Sequence, residues 1–379
     1  MKIAIICGHF VPSLGYVEVH LANALHRLGH SVKVITSNKT SSSARYSDIK
    51  NSESSINVEV VRLKPWFSFG QIVVANGIKE EINKFKPNKV IVIGLGKIFP
   101  RGVFQIQKKD FEIITLLGDN EDTYSESSKS IKRRLLHLIL KKPLYELAIL
   151  KSDKLLGYTP STKEVVNQFL NERFKTILQE KYGTTTLGFD AMEFNYSPDD
   201  RKIVRKELGV DEDSLVLITA TRITPSKKIE KIIDALEILS KKGWRFKYVL
   251  IGFSNFDYCE KLKSYISEKG LDEVVITLPF MPRDKMNSYY NMADIGLWTQ
   301  AAISIFEGLA TGLYLLLPSK RNVSHILSEE TGEYYSEHDL IEKLEKSVRD
   351  YSLANREELT KKVSAKFSFE TIAKKIIEN

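Results

Sequence analysis

The sequence predicts an α/β protein made of two doubly wound, Rossmann-like domains. Short runs of β-branched and apolar residues alternate with longer amphipathic stretches, which is typical of βα units in parallel sheets. The alternation runs from residue 2 to residue 158 and begins again at residue 214. At 379 residues, the chain is also long enough for two domains that each bury a hydrophobic core.

The first half predicts an N-terminal domain over residues 1–186. Parallel strands need long crossovers, and the amphipathic stretches supply them. The polar residues 37–57 indicate a surface loop. The predicted strands are residues 2–7, 31–35, 90–94, 112–117 and 154–158, and the predicted helices are residues 16–28 and 71–85.

The second half predicts a C-terminal domain over residues 187–361. Residues 187–200 carry Gly, Pro and Asp and break the periodicity, so the domain boundary is expected there. A C-terminal helix over residues 362–379 could pack back on the N-terminal domain. The predicted strands are residues 214–220, 248–251, 274–278, 294–297 and 313–317, and the predicted helices are residues 228–241, 258–269 and 304–310.

The composition favours a cytoplasmic protein with phosphate-rich partners. Lys and Arg number 56 against 48 Asp and Glu, a formal charge of +8. Cys7 and Cys259 are far apart and have no metal-ligand spacing, so no metal site is predicted and a reducing compartment fits best. No apolar run approaches the roughly 18 residues of a membrane-spanning helix.

The basic segment 220–228 has the chemistry of a phosphate site, because it follows a predicted strand and precedes a helix. Arg222 offers a planar pair of hydrogen-bond donors, and Lys227 offers a point charge. The start of the helix adds a partial positive charge. These groups suit a diphosphate. A solvated basic turn is the alternative reading.

Glu307 is a carboxylate among apolar neighbours near the start of a predicted helix. In open α/β sheets, ligands bind outside the carboxyl ends of the strands, where such a helix begins. A carboxylate can accept two hydrogen bonds from a vicinal diol such as a ribose. The alternative is a glutamate that merely favours the first helical turn.

The order of these segments resembles the GT-B glycosyltransferases, specifically glycosyltransferase family four with its "glycosyl transferases group one" domain. Residues 221–227 (TRITPSK) are similar to the family's G-R-x-x-x-x-K, with Thr221 in place of Gly, and residues 307–312 (EGLATG) to its E-A-M-A-x-G. Residues 12–18 (PSLGYVE) resemble P-x-x-G-G-x-E, and residues 187–190 resemble the family's G-x-D segment.

The resemblance implies a GT-B fold, with two domains facing each other across a cleft. It also implies metal-independent transfer of a sugar from a nucleoside diphosphate sugar, with retention of configuration and without a cofactor. Arg222 and Lys227 would hold the diphosphate and neutralise the leaving group, while Glu307 would bind the ribose. Gly15 would let the backbone approach the donor.

The sequence departs from the family at the sugar-binding position. Many members have a second acidic residue eight positions before the ribose carboxylate, and Thr299 stands there. Gln300 could supply polar contacts instead, and the turn that ends at Ser304 could present backbone N–H groups. We therefore assign Gln300 and Ser304 to the donor site.

A second departure concerns acceptor activation. The family commonly places a His after the fourth strand of the N-terminal domain, and this sequence has none between His30 and His137. Asp119 and Glu121 follow the corresponding strand, and a carboxylate can take the proton of an acceptor hydroxyl. An acidic surface loop is the alternative reading.

The sequence thus predicts a glycosyltransferase of cell-surface polysaccharide or glycolipid assembly, with a saccharide or lipid-linked acceptor. A catalytically inactive scaffold of the same fold and a sugar-nucleotide epimerase are the alternatives. Gly94-Leu95-Gly96 hints at a dinucleotide loop but lacks a third glycine. Nucleic acid is disfavoured as a partner, because the basic residues form no surface interleaved with aromatic residues.

Residues 127–151 predict peripheral contact with an anionic membrane at the inner face of the cell membrane. The segment combines seven Lys or Arg residues with runs of Leu and Ile, as in an interfacial helix, and Pro143 interrupts it. A buried helix with a solvated basic face is the alternative.

We expect the triple substitution Lys132→Glu, Arg133→Glu and Arg134→Glu to abolish binding to anionic vesicles. Each basic residue near such a surface contributes about 1 kcal/mol, and the substitution also adds repulsion. Vesicle co-sedimentation measures the effect, with uncharged vesicles as the control. Unchanged binding of the variant would contradict the membrane assignment.

Overall fold

The computed structural model describes residues 1–39, 56–69, 72–107, 109–119, 141–254, 257–350 and 356–378. The chain divides into two compact units. One comprises Met1–Leu187 with Phe369–Asn379, and the other comprises Gly188–Ser368. Each unit is built on a parallel sheet, which confirms the predicted α/β class.

The first unit is built on a parallel sheet. The strands are β1 Lys2–Ile6, β2 Ser31–Ser37, β3 Glu59–Leu63, β4 Pro65–Phe69, β5 Ile72–Ala75, β6 Lys89–Ile93, β7 Glu112–Leu117, β8 Lys154–Gly157 and β9 Tyr182–Thr184. The sheet has the order β3-β2-β1-β6-β7-β8-β9. Its centre is apolar because β1 contributes Ile3, Ala4, Ile5 and Ile6, all fully buried. The helices before residue 188 are α1 Val17–Arg27, α2 Ile78–Phe85, α3 Arg101–Phe104, α4 Lys142–Lys151, α5 Thr162–Asn167 and α6 Glu172–Lys181.

The helix predicted over residues 71–85 is wrong in its first half. Strands β4 and β5 form an antiparallel hairpin, and helix α2 begins only at Ile78. Ile72, Val73 and Val74 are β-branched and favour a strand. Gly77, with φ of 105°, then turns the chain into the helix.

The second unit has a parallel sheet in the order β12-β11-β10-β13-β14-β15. The order places β10 and β13 at the centre, where ligands of open α/β sheets bind at the carboxyl ends. The strands are β10 Leu215–Ala220, β11 Phe246–Phe253, β12 Val275–Pro279, β13 Ile295–Leu297, β14 Tyr314–Pro318 and β15 Gly332–Tyr335. The helices are α7 Pro198–Glu207, α8 Glu230–Lys241, α9 Asp257–Glu268, α10 Arg283–Met292, α11 Ile303–Ala310, α12 Leu340–Asp350 and α13 Arg356–Phe367.

The single helix expected over residues 362–379 is two helices. Helix α13 ends at Phe367, and helix α14 (Phe369–Glu378) belongs to the first unit, where it packs on α1. Arg27 and Glu370 form an ion pair of 2.5 Å between these helices. The ring of His20 stacks on Phe369 with centroids 5.0 Å apart.

Much of the predicted membrane segment, residues 127–140, lies outside the described residues, as does most of the predicted loop 37–57. Helix α4 covers the end of the membrane segment and begins beside Pro143, which the first helical turn tolerates. Among the described residues, no helix has the length and apolar character needed to cross a membrane.

A buried ion cluster fixes strand β13 beside β10 in the second unit. Asp294 is 1% exposed and pairs with Arg201 at 2.7 Å and with Arg205 at 2.9 Å. Its second oxygen also accepts the backbone N–H of Val216 at 2.7 Å. Because both guanidinium groups are buried, the carboxylate is their necessary counter-charge.

We expect Asp294→Ala to lower the free energy of unfolding by about 3–5 kcal/mol, because it leaves two buried cations without their carboxylate. Urea denaturation measures the loss. The exposed Asp213 provides the matched control, and Asp213→Ala should have little effect. Equal stability of the two variants would contradict the assigned role of the cluster.

Candidate active site

The basic segment of the second unit leaves β10 at its carboxyl end. The N–H of Thr221 donates to the carbonyl oxygen of Ile251 at 3.1 Å, which holds the segment against β11. Gly252 permits this approach: its φ is +121°, and a Cβ atom there would lie 1.9 Å from the oxygen of Thr221. Arg222 follows and is exposed, so its guanidinium can reach a ligand.

Lys227 is joined to the loop that follows β13. Its Nζ donates to Oε1 of Gln300 at 3.1 Å, and Nε2 of Gln300 donates to the carbonyl oxygen of Ser226 at 2.5 Å. The hydroxyl of Thr299 donates to the carbonyl oxygen of Lys227. Three hydrogen bonds therefore hold Lys227 and Gln300 side by side at the edge of the sheet.

Glu307 lies on α11, is 5% exposed, and is ionically paired. Nη1 of Arg283 donates to one oxygen at 2.8 Å, and the hydroxyl of Tyr290 donates to the other at 3.2 Å. Burial raises the pKa of Tyr290, and the charge of Glu307 raises it further, so the hydroxyl remains a donor. Arg283 is itself held by Glu193 at 2.6 Å and by the ring of Phe194, 4.9 Å from its guanidinium carbon.

Ser304 lies in the first turn of α11 and is joined to the end of β10. Its hydroxyl donates to the carbonyl oxygen of Ala220 at 2.9 Å and accepts from Nε1 of Trp298 at 3.0 Å. The N-terminus of α11 is thereby fixed beside the start of the basic segment. A helix N-terminus in that position favours a negatively charged ligand.

Five of the predicted donor residues lie on the segments that follow β10 and β13 in the second unit, namely Arg222, Lys227, Gln300, Ser304 and Glu307. Arg283 and Tyr290, the partners of Glu307, were missed by sequence analysis. Both lie on α10, a helix that the sequence analysis did not predict, and the four-residue spacing of the apolar residues 286 and 290 is the signal that could have found it.

Gly15 lies in the first unit, directly before α1. It adopts φ of 56° after a single 3₁₀ turn, where a side chain would be strained. Its N–H donates to the oxygen of Pro12 at 3.2 Å, and its carbonyl oxygen is 2.9 Å from Nε2 of His20. This turn follows β1 in the chain, on the carboxyl side of the strand. Ligands of open α/β sheets bind on that side.

Asp119 lies just beyond the carboxyl end of β7 and is half-buried. Its Oδ1 accepts a hydrogen bond of 2.9 Å from the hydroxyl of Tyr145 on α4. The other predicted acidic residue, Glu121, lies outside the described residues. Glu18 and Lys97, which the sequence analysis gave no role, interact electrostatically with each other in the same unit.

Two features define the class of protein. They are the two Rossmann-like units and the polar residues that follow the carboxyl ends of the strands. The fold is that of the GT-B glycosyltransferases. Residues 200–365 match the family described as "Glycosyl transferases group 1". The matched residues lie in the second unit and include the motifs at residues 221–227 and 307–312.

Relatives and solved structures agree with this assignment. An uncharacterized glycosyltransferase of Methanocaldococcus jannaschii is 25% identical over 357 residues, covering 87% of this chain and 83% of that one. The alpha-monoglucosyldiacylglycerol synthase of Acholeplasma laidlawii is 22% identical over 345 residues, covering 84% and 80%. The structure of Anabaena Alr3699/HepE in complex with UDP-glucose has a TM-score of 0.70 at 15% identity, covering 100% of this chain and 98% of that chain.

We expect Gly252→Ala to weaken nucleotide-sugar binding, because the added Cβ would displace the backbone that carries Arg222. Gly243→Ala is the matched control: this glycine also has positive φ, 84°, but no atom lies within 4 Å of the added Cβ. Gly243→Ala should lose about 1 kcal/mol of stability from backbone strain, and Gly252→Ala should lose more, because its added Cβ also meets the oxygen of Thr221. Calorimetric titration should show weaker binding for Gly252→Ala only, and equal affinities would contradict the role of Gly252.

Proposed function

We propose that the protein transfers a hexose-type sugar from a nucleoside diphosphate sugar to a hydroxyl group, without a metal ion and with retention of configuration. The observation that carries the proposal is the pair of hydrogen bonds that join the basic segment to α11 and the loop before it, from Ser304 to the oxygen of Ala220 and from Lys227 to Gln300. The same helix bears Glu307. That combination offers a diphosphate three sources of positive charge and offers a ribose a carboxylate. The UDP-glucose bound by Anabaena Alr3699/HepE, of similar fold, supports a donor of this class.

Stabilisation of the leaving group is the proposed source of catalysis. The bond between the anomeric carbon and the diphosphate oxygen breaks, and its electron pair leaves with the diphosphate. Negative charge therefore grows on that oxygen in the transition state. The interaction of the diphosphate with Arg222, Lys227 and the α11 N-terminus would therefore be strongest in the transition state. Interactions that strengthen in the transition state accelerate the reaction.

Glu307 is the proposed ribose ligand. Each carboxylate oxygen has two lone pairs, so the hydrogen bonds from Arg283 and Tyr290 leave further acceptor capacity for the ribose hydroxyls. The ion pair with Arg283, at 2.8 Å, fixes the orientation of the Glu307 carboxylate. A bound ribose would then position the attached diphosphate beside Arg222 and Lys227.

The acceptor belongs to the first unit in this proposal. Asp119, oriented by Tyr145, offers a carboxylate to a saccharide or lipid-linked acceptor. A lipid acceptor is supported by the glycolipid named in the Acholeplasma laidlawii relative. Such an acceptor would suit an enzyme of the cytoplasm that works at the inner face of the membrane. Cell-surface polysaccharide or glycolipid assembly is the corresponding setting.

We expect Arg222→Ala, Lys227→Ala and Glu307→Ala each to lower sugar transfer by about 100- to 1,000-fold, the usual effect of removing one preorganised charge. Transfer is measured with a panel of nucleotide sugars, after thermal melting in their presence identifies the donor. The exposed Lys261 supplies the control, Lys261→Ala, which should retain full activity. Full activity in all three site variants would contradict the donor assignment, and donor binding without transfer or hydrolysis would favour an inactive scaffold.

A further inference from the structure

We propose that Arg356 is a positioning residue of the donor site, because it joins the ends of helices α10 and α11. Helix α11 carries Glu307, and α10 carries Arg283 and Tyr290, the two groups that donate to its carboxylate. The inference rests on the proposed binding of the donor ribose by Glu307. It adds the side chain that would keep this carboxylate at a fixed position relative to its two donors.

The guanidinium of Arg356 donates to carbonyl oxygens at the ends of both helices. Nε donates to Thr311 at the end of α11, at 3.1 Å. Nη1 donates to Ala293 at 2.8 Å and to Asn291 at 3.3 Å, both at the end of α10. Nη2 donates to Tyr290 at 3.4 Å. One fully buried side chain therefore connects the two helix ends.

Arginine has the chemistry that such a connection needs. The last carbonyl oxygens of a helix have no partner within the helix and carry partial negative charge. The guanidinium of Arg356 is a planar cation with five N–H donors, so one side chain can reach several of these oxygens at once. The ring of Tyr196 lies 5.4 Å from its central carbon and adds a cation–π contact. A lysine would supply the charge without the planar fork.

Tyr290 connects Arg356 to the proposed ribose ligand. Its carbonyl oxygen accepts from Arg356, and its hydroxyl donates to Oε2 of Glu307 at 3.2 Å. On the other helix, Thr311 lies about one turn after Glu307. A shift of either helix end would therefore move the carboxylate relative to the groups that orient it.

Gly312 permits the close approach of Arg356 to the end of α11. It has φ of +74°, and a Cβ atom there would lie 2.8 Å from the main-chain oxygen of Arg356. Gly312 is the last residue of the 307–312 motif, so the motif supplies both the carboxylate and the space for the residue that positions it. The rings of Phe306 and Phe367, 5.3 Å apart, also hold α13 against α11.

The end of α10 is held from a second direction by α7. Nη1 of Arg201 donates to the carbonyl oxygen of Met292 at 3.1 Å, and Nε of Arg205 donates to the same oxygen at 2.9 Å. These contacts join α10 to the ion cluster around Asp294. Arg356 adds the connection to α11, so its replacement should loosen α11 from α10 while the ion pairs of the cluster remain.

The test compares Arg356→Lys with the wild type in calorimetric titrations with UDP, CDP, ADP, GDP and inorganic pyrophosphate. Lysine keeps the charge but lacks the planar fork, so Glu307 should lose its fixed orientation. We expect about 10-fold weaker binding of the nucleoside diphosphate that the wild type prefers, the effect of about one hydrogen bond to a charged group. Pyrophosphate has no ribose, so its affinity should be unchanged.

Two further variants separate positioning from general stability. Gly312→Ala should reproduce the effect of Arg356→Lys, because its Cβ displaces the Arg356 backbone, and it tests the same contact should Arg356→Lys not fold. Gly270→Ala is its matched control, since φ there is +66° and no atom lies within 4 Å of the added Cβ. Leu239→Ala, in the buried core, should lower stability without changing the ratio of the two affinities.

A double-mutant cycle with Glu307→Gln shows whether Arg356 acts through Glu307. If it does, Arg356→Lys should weaken nucleoside diphosphate binding much less in the Glu307→Gln background. Additive effects would overturn the inference, as would unchanged nucleoside diphosphate affinity in Arg356→Lys or an equal loss of pyrophosphate affinity. Nucleoside diphosphate affinity that does not respond to Glu307→Ala would instead overturn the proposed ribose site.

Discussion

The contact between β10 and β13 is the constraint on which the proposed donor site depends. Asp294 fixes the two strands at their amino ends through Arg201 and Arg205. At the other end, Thr219 donates to the carbonyl oxygen of Leu297 at 2.7 Å, and Trp298 donates to that of Ala220 at 3.2 Å. The loops that follow these strands are therefore held at a fixed separation before any ligand arrives. Such preorganisation makes charge stabilisation effective, because the enzyme need not rearrange when the leaving group develops its charge.

Much of the fold follows from the sequence, because strands buried on both faces of a parallel sheet are near-continuous runs of apolar, often β-branched residues. The hairpin of β4 and β5 could not be predicted by that rule, since its aromatic residues Trp66 and Phe69 remain exposed. Helix α10 was missed for a related reason, as its sequence is largely polar. Arg222, Lys227 and Glu307 could be predicted because their spacing and order are specific. Their partners could not, because Arg283 reaches Glu307 only through tertiary packing.

Thr299 shows how a departure from the family pattern is accommodated. Its hydroxyl donates to the carbonyl oxygen of Lys227, a bond that an ionised carboxylate could not make because it has no proton to donate. A carboxylate in this position would also attract Lys227 away from Gln300. With Thr299 in this position, the loop after β13 holds Gln300 beside Lys227. Nζ of Lys227 donates to Oε1 of Gln300 at 3.1 Å. The loop after β13 therefore meets Lys227 through an amide and a hydroxyl group and not through a carboxylate.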